Sequence, residues 1–307
     1  MIRIMLLAAG LAAGLAAAPS AFAADGAAAA WWLWPLGLFV LCFFLGILAV
    51  IAGVGGGVLF VPIVASFFPF HLDYVRGAGL VLALTGTLAA GPSLLRSGLA
   101  SLRLVMPLAL AGSVFSLAGA VIGFALPVNV VQTALGATII AVAVLLWVAK
   151  VAEDERVHAD ALGRLLGLSG EFHDAAGGRT AWRTRHTALG IAAFGGIGFV
   201  GGLFGLGAGW ANVPALNLLM GVPLKLAVGT SGLAISLINS SAAWVYIGRG
   251  ALLPMIAMPS ILGVMLGARI GARLLHGMPS ALVRHIVIVV LAVAGARALA
   301  RGLGLWV

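Results

Sequence analysis

The stretch Gly53-Val54-Gly55-Gly56-Gly57-Val58-Leu59-Phe60-Val61-Pro62 decides the fold, because it recurs 152 positions later as Gly205-Leu206-Gly207-Ala208-Gly209-Trp210-Ala211-Asn212-Val213-Pro214. Glycine within a helix costs about 1 kcal/mol relative to alanine, and proline removes a backbone donor, so each copy predicts a broken helix. Both copies stand in long apolar surroundings. Within a bilayer, unwound backbone is tolerated only where protein or a watery cavity satisfies its polar groups, so the paired breaks predict a substrate site.

Composition places the chain in a membrane. Hydrophobic residues make up 63% of the 307 positions and charged residues only 8%, with a mean hydropathy of +1.21. The net charge of +9 does not indicate nucleic acid, because the basic residues stand singly between apolar runs and are typical of topology signals. Cys42 is the single cysteine, which excludes an intramolecular disulfide and a cysteine-rich metal site.

The apolar runs predict an all-α polytopic membrane protein. A signal peptide is expected over residues 1–24, because an apolar run is followed by the small-x-small pattern Ala21-Phe22-Ala23. The first membrane repeat is assigned to residues 31–149, a cytoplasmic polar linker to 150–185, and the second repeat to 186–304. Ten helical segments are predicted, at Trp32–Ala52, Val58–Phe68, Val75–Leu94, Leu104–Leu126, Val130–Ala149, His186–Phe204, Trp210–Met220, Leu226–Tyr246, Pro254–Leu275 and Val283–Ala300.

The repeat continues past the glycines without a gap. Equivalent positions carry glycine or proline over about 75 residues, as at Gly77 and Gly229 or Pro107 and Pro259. Val58–Phe68 would be only about 16 Å long at 1.5 Å per residue, too short for a bilayer core of roughly 30 Å. Each broken segment is therefore predicted to be a re-entrant hairpin, accompanied by three transmembrane helices.

The distribution of lysine and arginine favours inverted repeats. If residue 30 lies outside and each break forms a hairpin, most basic residues fall on the inner side, and only Arg76, Arg249, Arg297 and Arg301 fall outside. A broken segment that crossed once would place most of them outside, against the positive-inside rule.

The helix that starts after each break would direct free N–H groups and the positive end of its dipole into the membrane, which suits an anion. The alternative interpretation of the glycines is close helix packing. The predicted substrate-binding residues are those at the two breaks and the polar positions near them, of which Asn239 and Thr87 are equivalent: Gly55, Gly56, Gly57, Gly207, Ala208, Gly209, Asn212, Thr230, Ser231, Asn239 and Thr87. The competing interpretation of the hydroxyl residues is that they bond their own helix.

Charged residues give weaker signals. The predicted spans hold no Asp or Glu, which disfavours carboxylate-based proton or sodium coupling and a metal site. Arg76, Lys225 and Arg249 lie near helix starts and could attract an anion, although anchoring or snorkelling is the alternative.

The glycine motifs with Pro62 and Pro214, followed by Gly229-Thr230-Ser231, resemble the sulfite exporter TauE/SafE family of membrane permeases. The resemblance covers about residues 34–304. It implies transport of small sulfur-containing anions such as sulfite or sulfonates, commonly outward across the bacterial inner membrane, without a cofactor. The first half has Gly77-Ala78-Gly79 where the second has Gly229-Thr230-Ser231, which shifts the expected weight of binding to the second half.

The expected function is secondary transport of a small oxyanion by alternating access between the repeats. An anion channel and an importer of an organosulfur compound stay open, as does a homodimer. An enzyme is the weaker alternative, because the spans lack carboxylates and Cys42 has no evident histidine partner. We expect Gly56→Leu or Gly207→Leu to abolish transport, and Thr230→Val or Asn239→Leu to weaken anion binding.

Overall fold

A computed structural model of the chain describes residues 32–52, 55–96, 100–148, 160–173, 179–274 and 280–305. Within these ranges the protein is almost entirely helical, which confirms the predicted all-α class. Four helices are long and apolar enough to cross a membrane, namely Leu102–Ala125, Val128–Leu145, Thr187–Phe204 and Leu226–Gly248. The predicted signal peptide lies outside the described residues.

The helices follow the predicted order in both halves. The first half contains α1 (Leu33–Ala52), α2 (Gly56–Phe67), α3 (Leu72–Arg96), α4 (Leu102–Ala125) and α5 (Val128–Val148). The linker contains α6 (Ala161–Leu165), and the second half contains α7 (Thr187–Phe204), α8 (Leu224–Gly248), α9 (Pro254–Leu274) and α10 (Ser280–Gly302). The segment between α7 and α8 departs from the single short helix that the sequence predicts, because it is a 3-10 turn (Ala208–Trp210), an α turn (Asn212–Pro214) and a π turn (Ala215–Leu219) in succession. We call α2 half-helix A and residues 208–219 half-helix B.

Each half-helix ends close to the residues at which its hairpin begins. In the first half, the ring of Trp34 at the start of α1 lies 5.9 Å from that of Phe68 and 5.7 Å from that of Phe70, just beyond half-helix A. In the second half, the Arg185 N–H donates to the Met220 carbonyl at 2.9 Å, which joins the start of α7 to the end of half-helix B. This geometry favours the re-entrant hairpin over a single broken crossing.

Equivalent helices of the two halves run antiparallel where they meet. Along α5 and α10, Gly302 lies against Thr133, Gly136 lies against Leu299, and Gly295 lies against Ile139, so residue numbers rise on one helix as they fall on the other. A pair of equivalent helices with opposite directions is what an inverted repeat requires. The packing supports the predicted inversion, while the orientation of the halves in a bilayer stays a prediction.

The first helix of each half packs on the fourth helix of the other half, counting the half-helix as the second. A Cβ placed on Gly46 of α1 would lie 2.6 Å from the Val264 carbonyl oxygen of α9, and one on Gly198 of α7 would meet the Gly112 carbonyl of α4. The four positions form two equivalent pairs, since 46 corresponds to 198 and 112 to 264. The halves therefore exchange helices rather than stack as separate bundles.

The linker is more structured than the sequence predicts. Besides α6, it contains a two-stranded antiparallel hairpin of β1 (Ser169–His173) and β2 (Arg179–Arg183), in which Gly170 pairs with Trp182. The Trp182 and Leu168 side chains are buried in the core around Leu104 and Leu216. The linker is thereby docked against the membrane helices.

Asp160 joins the linker to α7. Its carboxylate accepts hydrogen bonds from the Gly163 N–H at 3.2 Å, the Thr187 N–H at 3.0 Å and the Thr187 hydroxyl at 2.7 Å. One side chain therefore caps α6 and also the first residue of α7. Partial burial raises the pKa of Asp160, but the bonds from Thr187 and Gly163 outweigh burial and hold the pKa below its ordinary value.

Candidate functional site

The two half-helices begin next to each other. A Cβ placed on Gly209 would lie 3.1 Å from the Gly55 nitrogen, and one on Gly55 would lie 3.6 Å from the Gly209 Cα. Half-helix A begins at Gly56 after Gly55, with no side-chain cap among the described residues. The starts of two helical segments thus meet at one place, and the N–H groups at helix starts are suited to binding anions.

Glycine is required where this junction meets α3. A Cβ on Gly57 would lie 2.7 Å from the Gly79 carbonyl oxygen and 2.8 Å from the Leu206 carbonyl oxygen, both of which belong to backbone. A Cβ on Gly79 would in turn lie 2.7 Å from the Gly205 carbonyl oxygen. Three backbone segments therefore touch without side chains between them, which only glycine permits.

The second break turns through two left-handed residues. Gly205 has φ 69° and Gly207 has φ 73°, in the region that favours glycine. A Cβ on Gly207 would lie 2.6 Å from the Asn239 Nδ2 and 3.1 Å from the Ala83 Cβ. The break is thus held between α3 and α8.

Asn239 of α8 is the polar side chain that contacts the break directly. Its Oδ1 accepts a hydrogen bond from the Ala208 N–H at 3.1 Å, and the residue is fully buried. Its Nδ2 has no hydrogen-bond partner among the residues that the structure describes. Because a buried amide donor is costly to leave unpaired, an unpaired N–H beside the junction points to a ligand or water.

Two residues of half-helix B carry further unpaired polar atoms. Asn212 is fully buried, and within the described part of the chain neither its Nδ2 nor its Oδ1 has a hydrogen-bond partner. The indole Nε1 of Trp210 is also buried without one. The sequence analysis did not select Trp210 as a binding residue. The indole N–H within the repeated glycine motif could have indicated that role.

The first half supplies no comparable side chains at the equivalent positions. Phe60 corresponds to Asn212, and Val58 corresponds to Trp210. Thr87 corresponds to Asn239, but its hydroxyl donates to the Ala83 and Leu84 carbonyls of its own helix at 3.1 and 3.0 Å. The first half therefore offers backbone N–H groups, while the second half offers amide and indole donors as well.

The other predicted hydroxyl residues lie nearer the start of α8. The Thr230 hydroxyl accepts from the Ser101 N–H at 3.2 Å, and Thr230 precedes Asn239 by nine residues, about 14 Å along a helix axis. Ser231 is buried in the next position. The structure thus brings Asn239 to the junction, buries Asn212 in half-helix B, and places Thr230 beside the start of α4.

The predicted cations have different surroundings. Arg76 is only 1% exposed, and its guanidinium donates to Asp73 Oδ1 at 2.8 Å, to the Gly123 carbonyl and to the Leu203 carbonyl. Arg249 is exposed and stacks on the Phe124 ring at 5.8 Å. The side chain of Lys225 lies outside the described set. Among the described residues, no group of three or more His, Cys, Asp or Glu side chains could hold a metal ion.

Comparison with known proteins agrees with this architecture. Residues 38–298 match the family model described as "Sulfite exporter TauE/SafE". A relative from Bacillus subtilis (strain 168), named "Probable membrane transporter protein YunE", is 31% identical over 137 residues, which cover 45% of this chain. The match spans 50% of that relative's length. No solved structure matches.

Proposed function

Since the chain belongs to the sulfite exporter TauE/SafE family of membrane transporters, we propose that it exports a small sulfur-containing oxyanion by alternating access at the junction of the two half-helices. Sulfite is the leading candidate and a sulfonate is the next. We place the protein in the inner membrane of a bacterium as a multi-pass transporter.

The observation that carries this proposal is a set of unpaired donors in and beside half-helix B. The starts of both half-helices meet at Gly55 and Gly209, and the buried amides of Asn212 and Asn239 and the indole of Trp210 have N–H groups without partners among the described residues. An oxyanion presents several acceptor oxygens and would satisfy such donors together. Oriented N–H groups in a site away from water bind an anion more strongly than they do in water.

The asymmetry of the site supports a small ligand. Polar side chains come from the second half, whereas the equivalent first-half positions hold Phe60 and Val58. A compact oxyanion can place its oxygens toward Asn239 and any apolar substituent toward the first half. Sulfite and a short sulfonate both meet this requirement.

The first test is ligand stabilisation of the purified protein. Its thermal midpoint is measured with sulfite, sulfate, thiosulfate, sulfoacetate, taurine, phosphate and chloride at matched ionic strength, because a ligand of the folded state raises the midpoint. We expect sulfite or a sulfonate to raise it selectively. No shift with any of these anions would contradict the proposed substrate class.

Asn239 gives the sharpest variant. We expect Asn239→Leu to weaken the affinity for the stabilising anion by about tenfold or more, as for loss of a buried hydrogen-bond donor. Asn239→Asp keeps an oxygen for the Ala208 N–H but replaces the free donor with an acceptor, and should also prevent binding. Ser240→Ala is the matched control, because the Ser240 hydroxyl is exposed and donates to the Leu237 carbonyl of its own helix. Equal affinity in wild type and both Asn239 variants would remove Asn239 from the site.

Flux in proteoliposomes separates a transporter from the alternatives. A carrier saturates with substrate, whereas an anion channel gives flux that rises without saturation. Import and export use the same binding site, so the direction is read from loaded and empty vesicles with opposite gradients. Saturable sulfite flux, with a higher half-saturation concentration in Asn239→Leu, is the expected result.

A further inference from the structure

The backbone carbonyls at the end of α7 need hydrogen-bond donors from elsewhere in the protein. The helix ends at Phe204, and the last carbonyls of any helix have no partner within it. Leu203 and Gly202 are buried, so water is not available to them as it is at a surface helix end. Other side chains must supply the donors.

Two residues meet this demand. The Arg76 guanidinium of α3 donates to the Leu203 carbonyl, and the Tyr246 hydroxyl of α8 donates to the Gly202 carbonyl at 3.0 Å and lies 3.4 Å from the Leu203 carbonyl. A cation at a helix carboxyl end also complements the helix dipole. Both donors thus serve the same turn of α7.

The charge of Arg76 is itself compensated. Asp73 lies one turn earlier on α3 and accepts from the guanidinium at 2.8 Å. The guanidinium carbon lies 5.3 Å from the Tyr246 ring centroid and 5.4 Å from that of Phe124, within the range of cation–π attraction. A cation paired and stacked in this way is held in one place.

The same region of α3 touches the break. A Cβ on Gly205 would collide with the backbone of Arg76, and Gly205 precedes by two residues the Gly207 that lies against Asn239. Movement of the last turn of α7 would therefore displace Gly205 and, through Gly207, the contact with Asn239.

We propose that Arg76 and Tyr246 form a clamp on the last turn of α7 that positions the second break for ligand binding. Arg76 is a positioning residue in this arrangement and does not contact the anion. The effect on anion affinity rests on the proposed function, whereas the effect on the backbone at the break does not. Val228 of the second half stands at the position equivalent to Arg76 and is 46% exposed, so the second half has no counterpart of this arginine.

The test combines two readouts on Arg76→Lys and Tyr246→Phe. The first is amide hydrogen exchange over residues 204–209, and the second is the affinity for sulfite from thermal shifts. Tyr246→Phe removes only the hydroxyl, and we expect exchange to quicken by about fivefold, as for loss of one hydrogen bond, with weaker sulfite binding. Arg76→Lys keeps the charge, but a lysine cannot reach Asp73 and the carbonyls of Gly123 and Leu203 at once. We therefore expect a larger change in both readouts.

Arg249→Gln is the matched control, because Arg249 stacks on the same Phe124 ring but is exposed. Exchange at residues 204–209 should stay at the wild-type rate in this variant. If Arg76 instead attracts the anion by charge, Arg76→Lys will bind sulfite as well as wild type does, and the clamp is wrong. Unchanged exchange in both clamp variants also overturns it. If the wild-type protein binds no anion, the proposed function fails and the exchange rates alone decide about the clamp.

Discussion

At the scale of single residues, Gly56 and Gly57 are neighbours in sequence but have different surroundings. A Cβ on Gly57 would lie under 3 Å from two backbone oxygens, those of Gly79 and Leu206. A Cβ on Gly56 would lie 3.4 Å from a Leu82 methyl and 3.5 Å from a Val264 methyl, which is ordinary contact. One glycine is therefore required by close backbone approach, and the other has room for a methyl group.

We expect Gly57→Ala to abolish transport and Gly56→Ala to retain it. The first methyl forces half-helix A away from α3 and the second break, because neither backbone oxygen can rotate aside as a side chain can. Saturable sulfite flux in proteoliposomes is the measurement, with membrane insertion of both variants verified. Wild-type flux in Gly57→Ala would show that the junction is looser than the structure indicates. The leucine substitutions predicted from the sequence remain to be tested.

Sequence reasoning located the junction residues but not the bonding of their neighbours. The repeat pointed to Gly207 and Asn239, because a glycine or an amide side chain within an apolar helix lowers stability unless it has a structural or functional role. It could not separate Asn239, which contacts the break, from Thr87 or Ser240, whose hydroxyls bond their own helices. That choice depends on side-chain rotamers and on the neighbouring helix, which spacing alone does not specify.

At the scale of elements, Asp160 couples the linker to α7. Its pKa is lowered by hydrogen bonds from Thr187 and Gly163 that outweigh the effect of burial. A carboxylate with a lowered pKa stabilises the folded state above its unfolded pKa, near pH 4, and this contribution disappears as the pH falls through the folded value. The linker should therefore be docked at neutral pH and loosen in acid.

We expect Asp160→Asn to lower the thermal midpoint at pH 7, because the amide loses the charge that the three N–H and O–H donors stabilise. The difference from wild type should shrink as the pH falls below about 4 and disappear below the lowered folded pKa, where the wild-type carboxylate is protonated too. Thermal midpoints of both proteins between pH 3 and 7 provide the comparison. A difference that stays constant over this range would assign the effect to packing instead of charge.

The linker also shows where element prediction failed. Its polar composition indicated a surface segment, and the structure contains the short helix α6 there. The hairpin of β1 and β2 was missed because five-residue strands give little periodic signal. Burial of Trp182 against the membrane helices depends on partners distant in sequence.

At the scale of the whole molecule, the hairpins determine on which side each connection lies. Trp32 is 51% exposed before α1, the His71 side chain is 55% exposed after half-helix A, and Arg164 is exposed in the linker. Two re-entrant hairpins place Trp32 and His71 on one side and Arg164 on the other. A single broken crossing would separate Trp32 from His71.

We expect Trp32→Cys and His71→Cys to react with a membrane-impermeant maleimide from the same side, and Arg164→Cys from the opposite side. The variants are made in a Cys42→Ala background, which removes the single natural cysteine. Labelling is compared in intact and permeabilised cells. Reaction of Trp32→Cys and His71→Cys from opposite sides would contradict the re-entrant geometry.

The membrane class, the two halves and the helix order were predictable, because hydropathy and a gap-free repeat act over many residues. The exchange of helices between the halves was not. Gly46 and Gly198 are ordinary small residues in apolar helices, and their partners Val264 and Gly112 are known only from the packing. The sequence of a membrane helix has no periodic pattern that identifies the helix it packs against.

This exchange has a consequence for how such a chain could arise and assemble. α1 contacts α9, and α7 contacts α4, so an isolated half would leave the glycine faces of its first and fourth helices uncovered. Two copies of one half, inserted in opposite orientations, could cover each other's faces in the same way. If the halves have the predicted opposite orientations, the fused chain corresponds to an antiparallel dimer joined by a covalent linker, and the helices of the first half gain their partners only after the second half has been synthesised and inserted.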